Sequence, residues 1–301
     1  MIVRPRPGSF ELWVILRGSI LPAIAARVGV IVAFSLGLAF IDRARPDLFP
    51  DFTSVPFTLL GIALSIFLGF RNNACYERWW EARRQWGQLV AEARGLARDG
   101  TVLLPDPESR RLCHRIIAFA HALRDQLRGN DAASAEPWLP PGEWTVVSAR
   151  RSKPDAILER QAREIGSLRR GDGISDEQYT LFAGRLQAIT NIQTACERLN
   201  STPTPFTYTL LLHRTAWVFC LLLPFGLVGG LGMITPIATA LLGYAFFGLD
   251  ALGEELEEPF GRSQNAVPLD ALVRAVEIAV LESLGSGEVP APLLPIDHIL
   301  L

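Results

Sequence analysis

The stretch GIALSIFLGFRNNACYERWW, residues 61–80, decides how this chain is read. Its first half carries no charge, and Arg71 is the first charged residue after Asp51. Ile62, Ile66 and Phe70 recur four apart and therefore share one helical face. Continued outward, that face meets Asn73 or Ala74 and then Glu77, so an apolar band passes directly into polar and acidic positions. Gly61, Ala63, Ser65 and Gly69 surround the band and permit close helix packing. Beyond Phe70, the residues Tyr76, Trp79, Trp80, Arg83, Trp86, Leu89, Val90 and Leu96 keep helical spacing, with no proline until Pro105. One long helix is predicted, leaving the membrane and running to about Arg98 or beyond.

The rest of the chain fits around that helix. Of 301 residues, 49% are hydrophobic and 20% charged. The apolar residues cluster in long uncharged stretches, whereas the middle third is dense in Arg, Asp and Glu, a split that points to a membrane protein with a large aqueous part. Spans are predicted at about 19–41, interrupted only by Arg27, at 52–74, at 206–228 and at 232–250. The last two come from the uncharged run Thr215–Leu249, which is too long for one straight span. Pro224, Gly226, Gly229, Gly230, Gly232 and Pro236 suggest a helical hairpin turning near Gly230. Its first arm would start near Phe206 and take in His213 and Arg214, which should face protein, water or headgroups. Four spans put both termini on one side. Arg4, Arg6 and Arg17 before the first span, and Arg71, Arg78, Arg83 and Arg84 after the second, place that side in the cytoplasm. The connection between those spans has only Arg43 and Arg45, diluted by Asp42, Asp47 and Asp51.

The aqueous region, about 75–205 and 251–285, reads as helical. Asp106 is positioned to cap a helix from Glu108 to about Gly129. A loop with a short structured piece covers 131–151. Helices resume at Pro154–Arg169 and at Ser175 to about Asn200, where Ser175 and Gln178 form a capping-box pattern. A last amphipathic helix spans Pro268 to about Leu284, and 286–301 reads as a flexible tail. The fold class is thus an all-α membrane protein with four transmembrane helices and a large helical cytoplasmic domain, residues 1–285 forming one domain.

Composition excludes several functions. Basic and acidic residues number 29 and 31, for a net charge of -2, which does not suit a nucleic-acid partner. Cys75, Cys113, Cys196 and Cys220 are widely separated and form no disulfide framework or metal cluster. His114, His121, His213 and His298 lack partners at a recognised ligand spacing, and there is no phosphate-binding glycine loop. No enzyme, cofactor or metal is expected. The stripe Ile62, Ile66 and Phe70 has two readings by spacing alone. It can pack inside a helical bundle, or it can line a pore when copies repeat around an axis, making apolar collars above an acidic ring of Glu77.

Longer motifs narrow the choice. Gly69-Phe70-Arg71-Asn72-Asn73-Ala74-Cys75-Tyr76-Glu77-Arg78-Trp79-Trp80-Glu81-Ala82-Arg83 resembles the bacterial branch of the bestrophin family. So do Cys196-Glu197-Arg198 with Thr202-Pro203-Thr204-Pro205-Phe206-Thr207-Tyr208-Thr209, and Asp250-Ala251-Leu252-Gly253-Glu254-Glu255-Leu256-Glu257-Glu258-Pro259-Phe260-Gly261. The resemblance implies a homopentameric ion channel in the bacterial inner membrane, contacting lipid and passing monovalent ions along the five-fold axis. Ile62, Ile66 and Phe70 match the family's neck positions, with Asn73 and Glu77 at the pore entrance. A second, cytoplasmic aperture falls at Glu177, where bacterial relatives carry an apolar side chain. Glu77 and Glu177 lean toward cations. The alternatives are an animal-type chloride channel, a secondary transporter or a membrane scaffold. The acidic clasp that binds calcium in animal members is replaced after Gly261 by Arg262, Ser263, Gln264, Asn265 and Ala266, which argues against calcium activation by that clasp.

Overall fold

In the computed structural model the described residues are 1–4, 8, 10–11, 15–16, 18–48, 53 and 55–300. Arg6, Arg17, Asp51 and Phe52, used above for topology and for the start of the second span, lie outside them. Among the described residues the α-helices, in chain order, are α1 (Leu21–Ala44), α2 (Val55–Leu103), α3 (Glu108–Leu127), α4 (Glu143–Ser148), α5 (Lys153–Arg170), α6 (Asp176–Ser201), α7 (Phe206–Leu231), α8 (Thr235–Glu257) and α9 (Leu269–Ser283). They form two compact units. A membrane unit comprises Arg4–Trp79 and Pro203–Glu258, and a helical unit comprises Met1–Val3, Trp80–Thr202 and Pro259–Leu301. Helix α2 contributes to both without a break, as the uninterrupted periodicity after Phe70 predicts.

The membrane unit contains α1, the first half of α2, α7 and α8. Its core joins Ile24 and Ile31 of α1, Leu64 and Leu68 of α2, Phe219 and Leu223 of α7, and Phe246 and Phe247 of α8. The Phe219 and Phe246 rings meet edge to face with centroids 5.0 Å apart. At Gly226 a Cβ would fall 2.5 Å from the Phe57 ring, so only glycine lets α2 approach α7 this closely.

The chain departs from the expected four membrane-spanning helices. Among the described residues three helices are long and apolar enough to cross a membrane: Leu21–Ala44, Val55–Leu103 and Phe206–Glu257. Most of the glycines read as the turn do not break the helix, which ends only at Leu231. Gly226, Gly229 and Gly230 remain inside α7, and Gly232–Ile234 form a 3-10 turn that leads straight into α8. Gly232 adopts a φ of 50°, a conformation that glycine takes at little cost. By length and composition the 52-residue stretch counts as one candidate crossing segment, and within it α7 and α8 pack against each other across the turn at Gly232.

The helical unit is built on α3, which packs against α5, α6, α9 and the 3-10 turn Ala133–Trp138. Its buried face includes Leu112, Ile116, Phe119 and Leu123, each apolar side chain removed from water stabilising by about 1.5–3 kcal/mol. At the start of α6 the capping box is complete: Gln178 N–H donates to Ser175 Oγ, and Ser175 N–H donates to Gln178 Oε1. Asp106, by contrast, does not cap α3. Pro107 occupies the N-cap position with no side-chain cap, and Asp106 instead lies 3.8 Å from Arg110. The chain ends meet in this unit, since Val3 N–H donates to His298 O at 2.8 Å and Ile2 pairs with Ile299.

A buried ion network pins α3 to α4 and α5. Arg115 holds Glu143 bidentately, with both contacts at 2.9 Å, and also bonds Gln161 and Glu164. Arg111 adds a 2.7 Å bond to Glu164. Burial pushes Glu164 up, but the bonds from Arg115 and Arg111 outweigh it and hold the carboxyl below its ordinary value. A lowered carboxyl contributes stability that is present above its unfolded pKa and lost as pH falls through the folded one. The expected outcome is that Glu164→Gln lowers stability at neutral pH and flattens the loss of thermal stability on acidification below about pH 4.3, the unfolded glutamate value. Thermal melts across that range read both effects.

Candidate functional site

All of the proposed neck positions lie on the exposed side of α2. Ile62 is 54% exposed, Ile66 51% and Phe70 65%. At 100° per residue, Ile62, Ile66, Phe70, Asn73 and Glu77 fall within an arc of roughly 80°. Leu64, Leu68, Arg71 and Cys75, all buried, fall on the opposite side. The stripe therefore points away from the chain's own core, which removes the reading in which it packs inside its own bundle. Its polar continuation is organised locally: Asn73 Nδ2 donates to Glu77 Oε1 at 3.1 Å, and both side chains are exposed. Glu77 takes this bond within one turn of its own helix.

Glu177 is also exposed, on the first turn of α6. Ser175 Oγ donates to Glu177 Oε2 at 2.7 Å, and this bond, with the backbone bond at the helix start, holds the carboxyl below its ordinary value. Glu177 stands in the helical unit and the stripe in the membrane unit.

Behind the stripe is a cluster that spacing alone did not reveal. Arg71 and Asp250 are both fully buried. Arg71 Nη1 donates to Asp250 Oδ1 at 2.9 Å and to the Asp250 carbonyl at 3.2 Å. Arg27 Nη1 reaches Asp250 Oδ2 at 3.4 Å, and His213 Nδ1 lies 2.7 Å from the same oxygen. Arg71 Nη2 is 3.5 Å from Glu257, and Arg27 Nη2 is 3.8 Å from Glu254. Four helices, α1, α2, α7 and α8, thus supply one network around a single carboxylate. The signal for it was present in the sequence: Arg27, His213 and Asp250 are isolated polar residues in or beside apolar spans, where a charge requires a partner.

The three motif blocks meet through these groups. Glu257 accepts from the Thr204 N–H at 3.1 Å and from its hydroxyl, tying Thr202-Pro203-Thr204-Pro205 to the Asp250–Gly261 block. At Gly253 a Cβ would lie 2.7 Å from Asn72 Oδ1 and 3.1 Å from Arg71 Nη1, so glycine there makes room for both side chains. In the helical unit Arg198 donates to Glu81 at 2.6 Å, joining the second block to the first.

The acidic run does not converge as a hard-cation site. Glu254 and Glu257 already face arginines, and both lie on α8 rather than on a curved loop. His213, Asp250 and Glu254 bring ligand atoms within 4.8 Å of one another. Arg27 and Arg71 already neutralise that donor set, so it fits an ion-pair cluster better than a metal.

Removing one member of a buried pair leaves the other uncompensated, at a cost of about 3–5 kcal/mol. Asp250→Ala is therefore expected to lower the unfolding temperature of the detergent-solubilised protein sharply, and Asp250→Asn by less. Adding Arg71→Met to Asp250→Ala should restore part of the loss. Differential scanning fluorimetry of the three variants checks the order.

Comparison with known proteins gives a consistent result. The family model for the bacterial and fungal bestrophin proteins matches residues 1–282. A voltage-dependent anion channel-forming protein of Mesorhizobium japonicum is 46% identical over 299 residues, covering 99% of this chain and 96% of that relative. A protein of the same description from Escherichia coli strain K12 is 41% identical over 300 residues, covering 99% of each. The crystal structure of a bacterial bestrophin homolog from Klebsiella pneumoniae superposes with a TM-score of 0.84 at 38% identity, covering 88% of this chain and 100% of that one. Motif blocks, helical architecture and near full-length similarity agree: the chain belongs to the bacterial bestrophin family, multi-pass membrane proteins that are not enzymes.

Proposed function

We propose that the protein is an ion channel in which copies of α2 surround a central axis and present Ile62, Ile66 and Phe70 to it as successive apolar collars. The observation that carries this reading is the exposed stripe itself, which turns outward from a core built on the opposite face of the same helix. A stripe meant only for lipid has no need to run into Asn73 and Glu77. A stripe facing a water-filled axis would pass from a narrow apolar neck to a wetted polar entrance, where dewetting of the neck controls conduction. The family resemblance favours five copies. Glu177 of each copy would ring a second aperture.

An apolar neck discriminates weakly by charge, so the conducted species is set by what lies beside it. The relatives described as anion channel-forming favour anions, chloride above all, and this is the leading reading. The second reading, cation conduction, is favoured by the exposed carboxylates of Glu77 and Glu177. The arginines nearest the stripe in sequence do not settle the matter, since Arg71 is buried against Asp250.

The protein would sit in the bacterial inner membrane. The hydrogen bonds joining Val3 to His298 and Met1 to Leu300 keep both chain ends in the helical unit, which supports a shared, cytoplasmic side for the two termini.

Planar-bilayer recordings of purified protein under a NaCl gradient test both levels of the proposal. Unitary currents reversing toward the chloride potential are expected; reversal toward the sodium potential selects the cation reading, and silence returns the chain to a scaffold. Phe70→Ala and Ile66→Ala, by widening a collar, should raise unitary conductance roughly twofold or more if the neck limits flow. Unchanged conductance in both would remove Ile66 and Phe70 from the conduction path.

A further inference from the structure

We propose that the helical unit binds a small oxyanion, of the phosphate or carboxylate class, in a cavity organised by Arg128. This cavity has a volume of about 200 Å³ and is lined by Arg124, Asp125, Arg128, Asn130, Arg262 and Asp270. Arg128, which follows the last turn of α3, has a side chain only 5% exposed. Its Nη1 donates to Asp270 Oδ2 at 2.7 Å, while Nε and Nη2 are buried without a hydrogen-bond partner among the described residues. Unmatched guanidinium N–H groups at such depth are costly, and a cavity beside them is where an acceptor belongs.

The charge around the cavity decides what kind of acceptor. Both carboxylates in the lining are already engaged. Asp125 Oδ1 accepts from Arg124 Nε and Nη2 at 3.0 and 2.8 Å, and its Oδ2 accepts from Ser134 Oγ. Asp270 Oδ1 lies 3.1 Å from Arg124 Nη1 while its Oδ2 takes Arg128. Three arginines face two aspartates, leaving one net positive charge. The C-terminal end of α3 opposes this with roughly half a negative charge from its dipole, which is the smaller effect. Burial and the charge of Arg128 both lower the Met1 amino group, so positive charge is crowded from that side as well.

A neutral water would satisfy a donor without answering the excess charge. A chloride would answer the charge at a single point. An oxyanion does both, because two oxygens match the fork presented by Nε and Nη2 of one guanidinium. Arg262, exposed at the rim, would close over it. The occupied site would tie together the end of α3, the 259–268 segment and the start of α9.

Isothermal titration of the full-length protein in detergent, with sodium phosphate and separately with sodium acetate against a sodium chloride background of equal ionic strength, tests this. Saturable heat with phosphate, acetate or both is expected, and the stronger of the two identifies the class. Arg128→Met should weaken binding at least about tenfold. Arg262→Glu, at an exposed position that leaves the fold intact, should weaken it comparably and remains informative if Arg128→Met fails to fold. Bound anion should also raise the unfolding temperature of the wild-type protein but not of Arg262→Glu. No saturable heat with either anion, equal thermal gain from added chloride, or unchanged affinity in Arg262→Glu would each overturn the assignment.

Discussion

Asp250 is fully buried in a helix apolar enough to cross a membrane, so its charge must be met from inside the chain. It is met from three other helices at once, by Arg71 of α2, Arg27 of α1 and His213 of α7. Much of the remaining organisation of the membrane unit follows from that requirement. In lipid, apolar side chains gain little by choosing a helical neighbour over an acyl chain, so greasy contacts alone set a helix's rotation weakly. A guanidinium that has to find one carboxylate sets it firmly.

With Arg71 turned inward to Asp250, the face of α2 carrying Ile62, Ile66, Phe70, Asn73 and Glu77 has to turn outward. The stripe and the ion cluster are two sides of one constraint. It also explains the glycine at position 253, where any side chain would push into Arg71 and Asn72. The acidic run at the end of α8 takes on a structural role for the same reason. Glu254 and Glu257 complete the neutralisation of Arg27 and Arg71, and Glu257 fastens the backbone at Thr204 as the chain enters α7.

Local features were legible from sequence. The length of α2, the shared face of its apolar stripe and the capping box at Ser175 rest on spacing within one helix, and spacing is what a sequence displays directly. Two kinds of feature were not. The first is contact between distant residues: Arg71 and Asp250 are 179 positions apart, and a lone charge announces that it needs a partner without naming it. Arg128, with its half-used guanidinium, was missed for the same reason. The second is how glycine-rich stretches behave. Between Gly226 and Gly232 the composition suggested a turn near Gly230; Gly226, Gly229 and Gly230 stay helical and the chain turns at Gly232, while the whole stretch counts as one candidate crossing segment. Asp106 is a smaller example, since Pro107 took the capping position and left it to pair with Arg110.

The central claim is that the outward face of α2 borders water where ions pass. Ile66→Cys, tested with a membrane-impermeant cationic thiol reagent during bilayer recording, probes it directly, because the four native cysteines are buried. Rapid modification with a lasting change in unitary current is the result the account predicts. A residue that never reacts, or that reacts while the current continues unaltered, would show that this face meets lipid or protein instead.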